Sequence, residues 1–110
     1  MDEYKELGHE KCSKMILDRL GDNPIYVTFD LDCLDATVAP GVANIESAFR
    51  GFNIDEARKL IQSLTGKNVI GGDVACLMPT KDSPNQITSM VAASIMFEII
   101  CLIILNIKKK

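Results

Sequence analysis

Apolar residues recur along this chain with two different periods. Between Asp2 and Leu20 they fall at Cys12, Met15, Ile16 and Leu20, the spacing of one helical face, and Gly21 follows where a left-handed cap would sit. One helix is expected there. "PIYVTFD" is a short continuous apolar run rich in β-branched and aromatic residues, the pattern of a strand buried on both faces in a parallel sheet. A loop from about Cys33 to Phe52 follows, and then Ile54, Ala57, Leu60, Ile61 and Leu64 return to helical spacing until Gly66. Asn53 with Glu56 three residues later has the form of a capping box at the start of that helix.

"NVIGGDVACLM" reads as a second buried strand, in which Gly71 and Gly72 mark the close approach of another backbone or a ligand. Ser83 before Pro84 suits an N-cap with proline at the first helical position, and the helix runs on towards Leu105. From Met90 to Ile107 the chain is apolar on all sides except for Ser94, Glu98 and Asn106, so this last helix is buried in a core or in a membrane. Glu98 at its middle would be costly in lipid, which favours the core. Residues 101–110, "CLIILNIKKK", read as a divergent hydrophobic and lysine-ended tail, and residues 1–110 as one unit with no internal linker or repeat. Two buried strands joined by a helix give an α/β class, with a parallel sheet flanked by helices.

Composition narrows the function without naming it. A chain of 110 residues with 47% hydrophobic and 25% charged residues is an ordinary folded domain with little surplus stability. Its net charge of −3 and scattered lysines leave no basic stripe to track a phosphate backbone, so nucleic acid is not an expected partner. Cys12, Cys33, Cys76 and Cys101 show no C-x-x-C spacing and no signal peptide precedes them, the pattern of reduced thiols in a cytoplasmic protein.

The candidate chemistry lies in "YVTFDLDCLDATVAPG", where a hydrophobic strand runs into Asp30, Asp32 and Asp35. Residues two apart on a strand point the same way, so Asp30 and Asp32 are expected to present their carboxylates together at the strand's C-terminal end, the edge at which open α/β sheets bind ligands. Two carboxylates held close destabilise a fold unless a cation balances them, and hard oxygen donors suit Mg²⁺ or Mn²⁺. The competing reading is that these acids only form turns.

The order Thr28, Asp30, Asp32, Leu34, Asp35, Pro40, Gly41 resembles the signature of the ureohydrolase superfamily, which comprises arginase, agmatinase, formiminoglutamase and their relatives. "GVANIESAFRGF" is most similar to the formiminoglutamase type, and "GGDVACLMPTKDSPNQITSMVAASIMFEII" resembles the family's last strand and helix. The resemblance covers about Ile25 to Ile100 and corresponds to the C-terminal part of a family member, so it implies an arginase-like three-layer αβα domain that is incomplete here. It also implies a hydrolase of C–N bonds in small guanidino or formimino compounds, using two Mn²⁺ ions that lower the pKa of a shared water. By this resemblance Asp30 would bridge both ions and Asp32 would bind one, while Thr28, Asp35 and Asp73 would support the site or the loop around it.

Two departures from the family pattern limit this. The family's G-G-D-H and D-A-H-x-D motifs are missing, and His9, the one histidine, falls in the N-terminal helix as an exposed residue rather than a ligand. Cys76 stands where the family pattern D-V-x-E has a glutamate that meets the cationic end of the substrate, and as a structural residue it reads as small, apolar and buried. The chain by itself is therefore expected to be inactive, completed by a missing N-terminal half or by a homo-oligomer. The alternative is a non-catalytic remnant or interaction module of the same fold, and a membrane-anchored module is disfavoured.

Overall fold

A computed structural model describes residues 1–45 and 50–109. The elements run α1 (Asp2–Leu7), α2 (His9–Leu20), β1 (Ile25–Asp30), a 3₁₀ turn (Leu31–Cys33), α3 (Ile54–Gln62), β2 (Val69–Ala75), a second 3₁₀ turn (Pro79–Lys81) and α4 (Ile87–Lys109). Residues 46–49, part of the stretch that resembles the formiminoglutamase type, lie outside the described residues.

Strands β1 and β2 pair in parallel, with Thr28 opposite Asp73 and Asp30 opposite Ala75. The register slips between Ile25 and Tyr26, whose partners are Val69 and Gly71, so Ile70 is an extra residue in β2. Ile25, Val69, Ile61, Leu64, Ile95, Ile99 and Leu102 form the main core, with Leu17 and Leu20 of α2 against it. The expected class of a parallel sheet with flanking helices is what the chain forms.

Burial on both faces of the first strand does not hold among the described residues. β1 alternates: Val27 and Phe29 pack into the helical side, while Tyr26, Thr28 and Asp30 are exposed on the other. Helices cover one side of the sheet, and the opposite side is bare, with Tyr26 60% and Ile70 58% exposed. An apolar run suited to two covered faces thus meets only one covering layer.

The N-terminal helix is two helices. Gly8 has φ 86, a conformation incompatible with helix continuation, and it separates α1 from α2. The face that turns inward also differs from the expectation. Leu17 and Leu20 reach the core, whereas Met15 and Ile16 are exposed.

Helix α3 keeps its capping box: Asn53 Oδ1 accepts from Glu56 N at 2.8 Å and Glu56 Oε1 accepts from Asn53 N at 3.0 Å. Its α-helical part ends at Gln62, and tighter turns carry the chain to Gly66 at φ 87.

In α4 the buried residues are Thr88, Ala92, Ile95, Ile99, Leu102 and Asn106, spaced four and three apart along one stripe. Gly72 makes this docking possible: a Cβ there would lie 2.6 Å from Ile99 Cγ2 and 2.7 Å from the Val27 carbonyl oxygen. The close approach expected at the glycine pair is thus made by another backbone, that of Val27 in β1, together with the Ile99 side chain of α4 at Gly72 and the Tyr26 ring at Gly71. Glu98 sits beside the stripe, where Oε1 accepts from Arg58 Nε and Oε2 from Gln62 Nε2, both at 3.2 Å, tying α4 to α3. Asn106 donates to the carbonyl of Val69 and to Asn68 Oδ1, both at 3.0 Å. By length and composition α4 could cross a membrane. One stripe packs on the sheet and Glu98 ties the helix to α3, but only 22% of its apolar stretch is buried, so the expected all-round burial in a core is not what the described residues provide.

Helix α4 begins at Ile87, three residues later than Pro84, because Gln86 takes φ 59 and breaks the run. Its N-terminus is capped from further back. The Asp82 carboxylate accepts from Thr88 N at 2.9 Å, Ser89 N at 2.9 Å and Ser89 Oγ at 2.7 Å, and Ser83 Oγ takes only the Ile87 N–H at 3.2 Å. Desolvation opposes ionisation of Asp82, but bonds from the Ser89 hydroxyl and the N–H groups of Ser89, Thr88 and Ser83 outweigh it and hold the pKa well below the ordinary 3.8. A carboxylate whose pKa is depressed by folding stabilises the fold above its unfolded pKa, and that contribution is lost as pH falls through the folded value. Asp82→Asn is therefore expected to melt several degrees below the wild type at pH 7, with the gap closing below about pH 4. Melting curves followed by circular dichroism across this range test it, and a gap that stays constant down to about pH 2 would show that the carboxylate charge is not what caps the helix.

Candidate metal centre

β1 delivers Asp30 at its last residue, and the chain turns at once into the 3₁₀ segment that carries Asp32. Strand alternation therefore does not bring the two acids together. Asp30 Oδ1 accepts the Asp32 backbone N–H at 2.8 Å and caps the 3₁₀ turn, which folds Asp32 back beside it. Asp30 is exposed, Asp32 is half-buried, and Oδ1 of Asp32 is out of contact with solvent.

The third member of the group comes from the neighbouring strand. β2 stops at Ala75, opposite Asp30, and Cys76 turns with φ 74, in the left-handed region that side chains seldom adopt. One ligand atom from each of Asp30, Asp32 and Cys76 lies within 4.8 Å of the others. Cys76 is exposed, which corrects the expectation of a small buried residue ending the strand. The left-handed turn takes it out of the sheet and lets Leu77 pair with Val42 across the loop.

Asp35 faces its own loop. Its Oδ1 accepts from the Thr37 hydroxyl at 2.6 Å and the Thr37 N–H at 2.9 Å, and these bonds lower its pKa. Its backbone N–H donates to the Phe52 carbonyl at 2.8 Å, and its own carbonyl accepts from Val38 and Ala39. Gly51 lies so close to this turn that a Cβ would be 2.7 Å from Asp35 N, Cys33 O and Leu34 C. The loop is also fastened further on, where Gly41 N donates to the buried Thr88 hydroxyl at 2.8 Å and Met78 N donates to the Gly41 carbonyl at 2.8 Å.

On the bare side of the sheet Asp73 accepts two hydroxyls from β1, Thr28 Oγ1 at 2.7 Å and Tyr26 Oη at 2.9 Å. The bond to Asp73 raises the pKa of Tyr26. Thr28 and Asp73 are thus brought together, one register step of two residues before the Asp30–Ala75 pair that ends the sheet. Tyr26 was not singled out by the sequence, where it reads as one more residue of an apolar run.

A cleft of about 390 Å³ opens beside Asp32, lined by Met1, Asp2, Cys33, Arg50, Gly51 and Phe52. Arg50 is paired there with Asp2 at 2.9 Å. Burial first, and then the carboxylates of Asp30 and Asp32, push the Cys33 thiol up to about 11. His9 begins α2, half-buried, and does not belong to the acid group. The donors present suit one divalent cation: two carboxylates and a sulfur that converge from two adjacent strand ends. Among the described residues no second group of three such donors exists to hold another ion.

The same strand, loop and helix recur in known proteins. The Arginase family model matches residues 1–102. Agmatinase of Photorhabdus laumondii is 34% identical over 101 residues, and guanidinopropionase of Pseudomonas aeruginosa is 36% identical over 103. These alignments cover 92% and 94% of this chain but only 32% and 31% of those proteins. The solved proclavaminate amidino hydrolase of Streptomyces clavuligerus superposes with a TM-score of 0.88 at 30% identity, over 96% of this chain and 34% of that one. The chain spans about a third of the length of the relatives it matches, so its two-stranded sheet is an incomplete version of their domain. With the family match running through both strands and the acid-bearing loop, this chain belongs to the arginase family.

Proposed function

We propose that this chain is the C-terminal, metal-holding portion of an arginase-family hydrolase that cleaves C–N bonds in small guanidino or formimino compounds. The observation that carries this reading is the convergence of the Asp30 and Asp32 carboxylates at the C-terminal end of β1. Asp30 and Asp32 would hold Mn²⁺, a cation suited to hard oxygen donors, which when bound supplies Lewis acidity and lowers the pKa of water. Asp35 orders the loop behind the acids, and Asp73 with Thr28 and Tyr26 stiffens the neighbouring strands. The names of the relatives, guanidinopropionase and amidino hydrolase among them, support a substrate with a planar, nitrogen-rich carbon centre.

The remaining donors would come from elsewhere, either an N-terminal portion or a second copy. The bare sheet side around Tyr26 and Ile70 and the outer flank of α4, with Met90, Phe97 and Ile107 exposed, offer the apolar surface for that completion. We place such a protein in the cytoplasm, where its four thiols would stay reduced.

Calorimetric titration of the 110-residue chain with Mn²⁺ tests the metal reading. Saturable binding is expected in the wild type, weakened by about tenfold or more in the Asp30→Asn, Asp32→Asn double variant. Equal heats in both would put a second reading in its place, a non-catalytic remnant of the fold. Cys76 favours that second reading, because a thiol at this position cannot offer the carboxylate that the family pattern places there.

A further inference from the structure

We propose that Cys76 is a third metal donor, completing an oxygen, oxygen, sulfur set with Asp30 and Asp32 that prefers a borderline cation such as Zn²⁺ or Co²⁺ over Mn²⁺. This rests on the reading of Asp30 and Asp32 as metal ligands and adds the identity of the third donor and of the ion.

Three features of the chain lead to it. The sulfur already stands within 4.8 Å of a carboxylate oxygen of each aspartate. Bond lengths of about 2.0–2.3 Å set two donors on a tetrahedral ion about 3.6 Å apart, so closing the site takes about 1 Å of movement. Asp30 and Cys76 are exposed, so that movement falls on side chains at the surface. The left-handed turn at Cys76 directs the residue out of the sheet at the strand end opposite Asp30. Finally, the donor chemistry is mixed. Carboxylates alone suit Mg²⁺ or Mn²⁺, whereas a thiolate shifts selection towards Zn²⁺ and Co²⁺. On coordination the thiol gives its proton to solvent as the sulfur–metal bond forms, so one proton is released per ion bound. Three protein donors leave a fourth position open, the arrangement of catalytic rather than structural zinc sites.

Cobalt makes the sulfur visible, because a thiolate bound to Co²⁺ gives a charge-transfer band in the near ultraviolet that carboxylate ligands do not. Titration of the 110-residue chain with Co²⁺ is expected to raise this band. It should be lost in Cys76→Ser, kept in Cys33→Ser, and displaced by Zn²⁺. Zn²⁺ affinity should fall about tenfold or more in Cys76→Ser, while Mn²⁺ affinity changes far less. A measurement on the unaltered chain covers the case in which a variant does not fold: Zn²⁺ should slow alkylation of Cys76 by iodoacetamide, read by peptide mass spectrometry, and leave Cys101 unaffected. Co²⁺ binding that responds to Asp30→Asn but shows no band, with Cys76 alkylated equally fast in the presence of Zn²⁺, would overturn the role of Cys76 and leave the acids as metal ligands. No Co²⁺ binding by a chain that circular dichroism shows to be folded would overturn both.

Discussion

Ile99→Ala is expected to remove about 2–5 kcal/mol of stability, the range for emptying a well-packed aliphatic site. Ile99 is 1% exposed and lies on the buried stripe of α4, directly over Gly72. A small domain has only about 5–15 kcal/mol in total, and a two-stranded sheet covered on one side sits at the low end, so the variant is expected to be largely unfolded at 37 °C. Gly72→Ala should destabilise by overpacking, since its new methyl carbon would stand 2.6 Å from Ile99 Cγ2. The double variant decides the cause. The methyl added at residue 72 enters the space that Ile99 has left, so the two changes should be less harmful together than their sum, with a coupling of about 0.5–3 kcal/mol. Urea melts of the four chains measure it. Strict additivity would mean that the glycine is needed for the Val27 carbonyl, also 2.7 Å from the same point, and not for the helix.

The second large effect is on activity. The chain alone is expected to hydrolyse agmatine, arginine or formiminoglutamate no faster than buffer. Enzymes typically lower a barrier by about 8 kcal/mol or more, and in two-metal chemistry that reduction depends on both ions being in place. Among the described residues one group of three candidate donors occurs, and the family's two other ligand motifs are absent from the sequence. Release of urea, or of ammonia from formiminoglutamate, in the presence of Mn²⁺ is the measurement. Turnover comparable to a full-length relative would show that the site is complete within these residues or across identical copies, and sedimentation of the active sample would distinguish the two.

The parts of this structure that were legible in the sequence are those set by side-chain chemistry at short range. The two strands, the capping box of Asn53 and Glu56, and the run of acids after Phe29 all follow from residue type and spacing. The parts that were not legible share a cause. The break at Gly8, the late start of α4 after Gln86 and the outward turn of Cys76 each depend on one residue with positive φ, at 86, 59 and 74°. Only the first is a glycine, and nothing in the pattern around Gln86 or Cys76 announces a left-handed residue. The bare side of β1 was hidden for a different reason. Composition reports how many faces a strand is built to bury, and Tyr26 and Ile70 are exposed because the covering layer is not among these residues. The proximity of Asp30 to Asp32 was anticipated through strand alternation and arises instead from the Asp30 cap of a 3₁₀ turn.

Thr88 has a hydroxyl buried inside the stripe of α4, bonded to the backbone of Gly41 in the loop that follows the acids, and a Cβ on that glycine would lie 2.9 Å from Thr88 Cβ. The position of the acid loop is thus inherited from a helix that contributes no acid to it. Anything that loosens α4 from the sheet also releases the far anchor of the loop that follows the acids. On the proposal that Asp30 and Asp32 hold a cation, the strength of that binding would also gauge how completely the fold has closed.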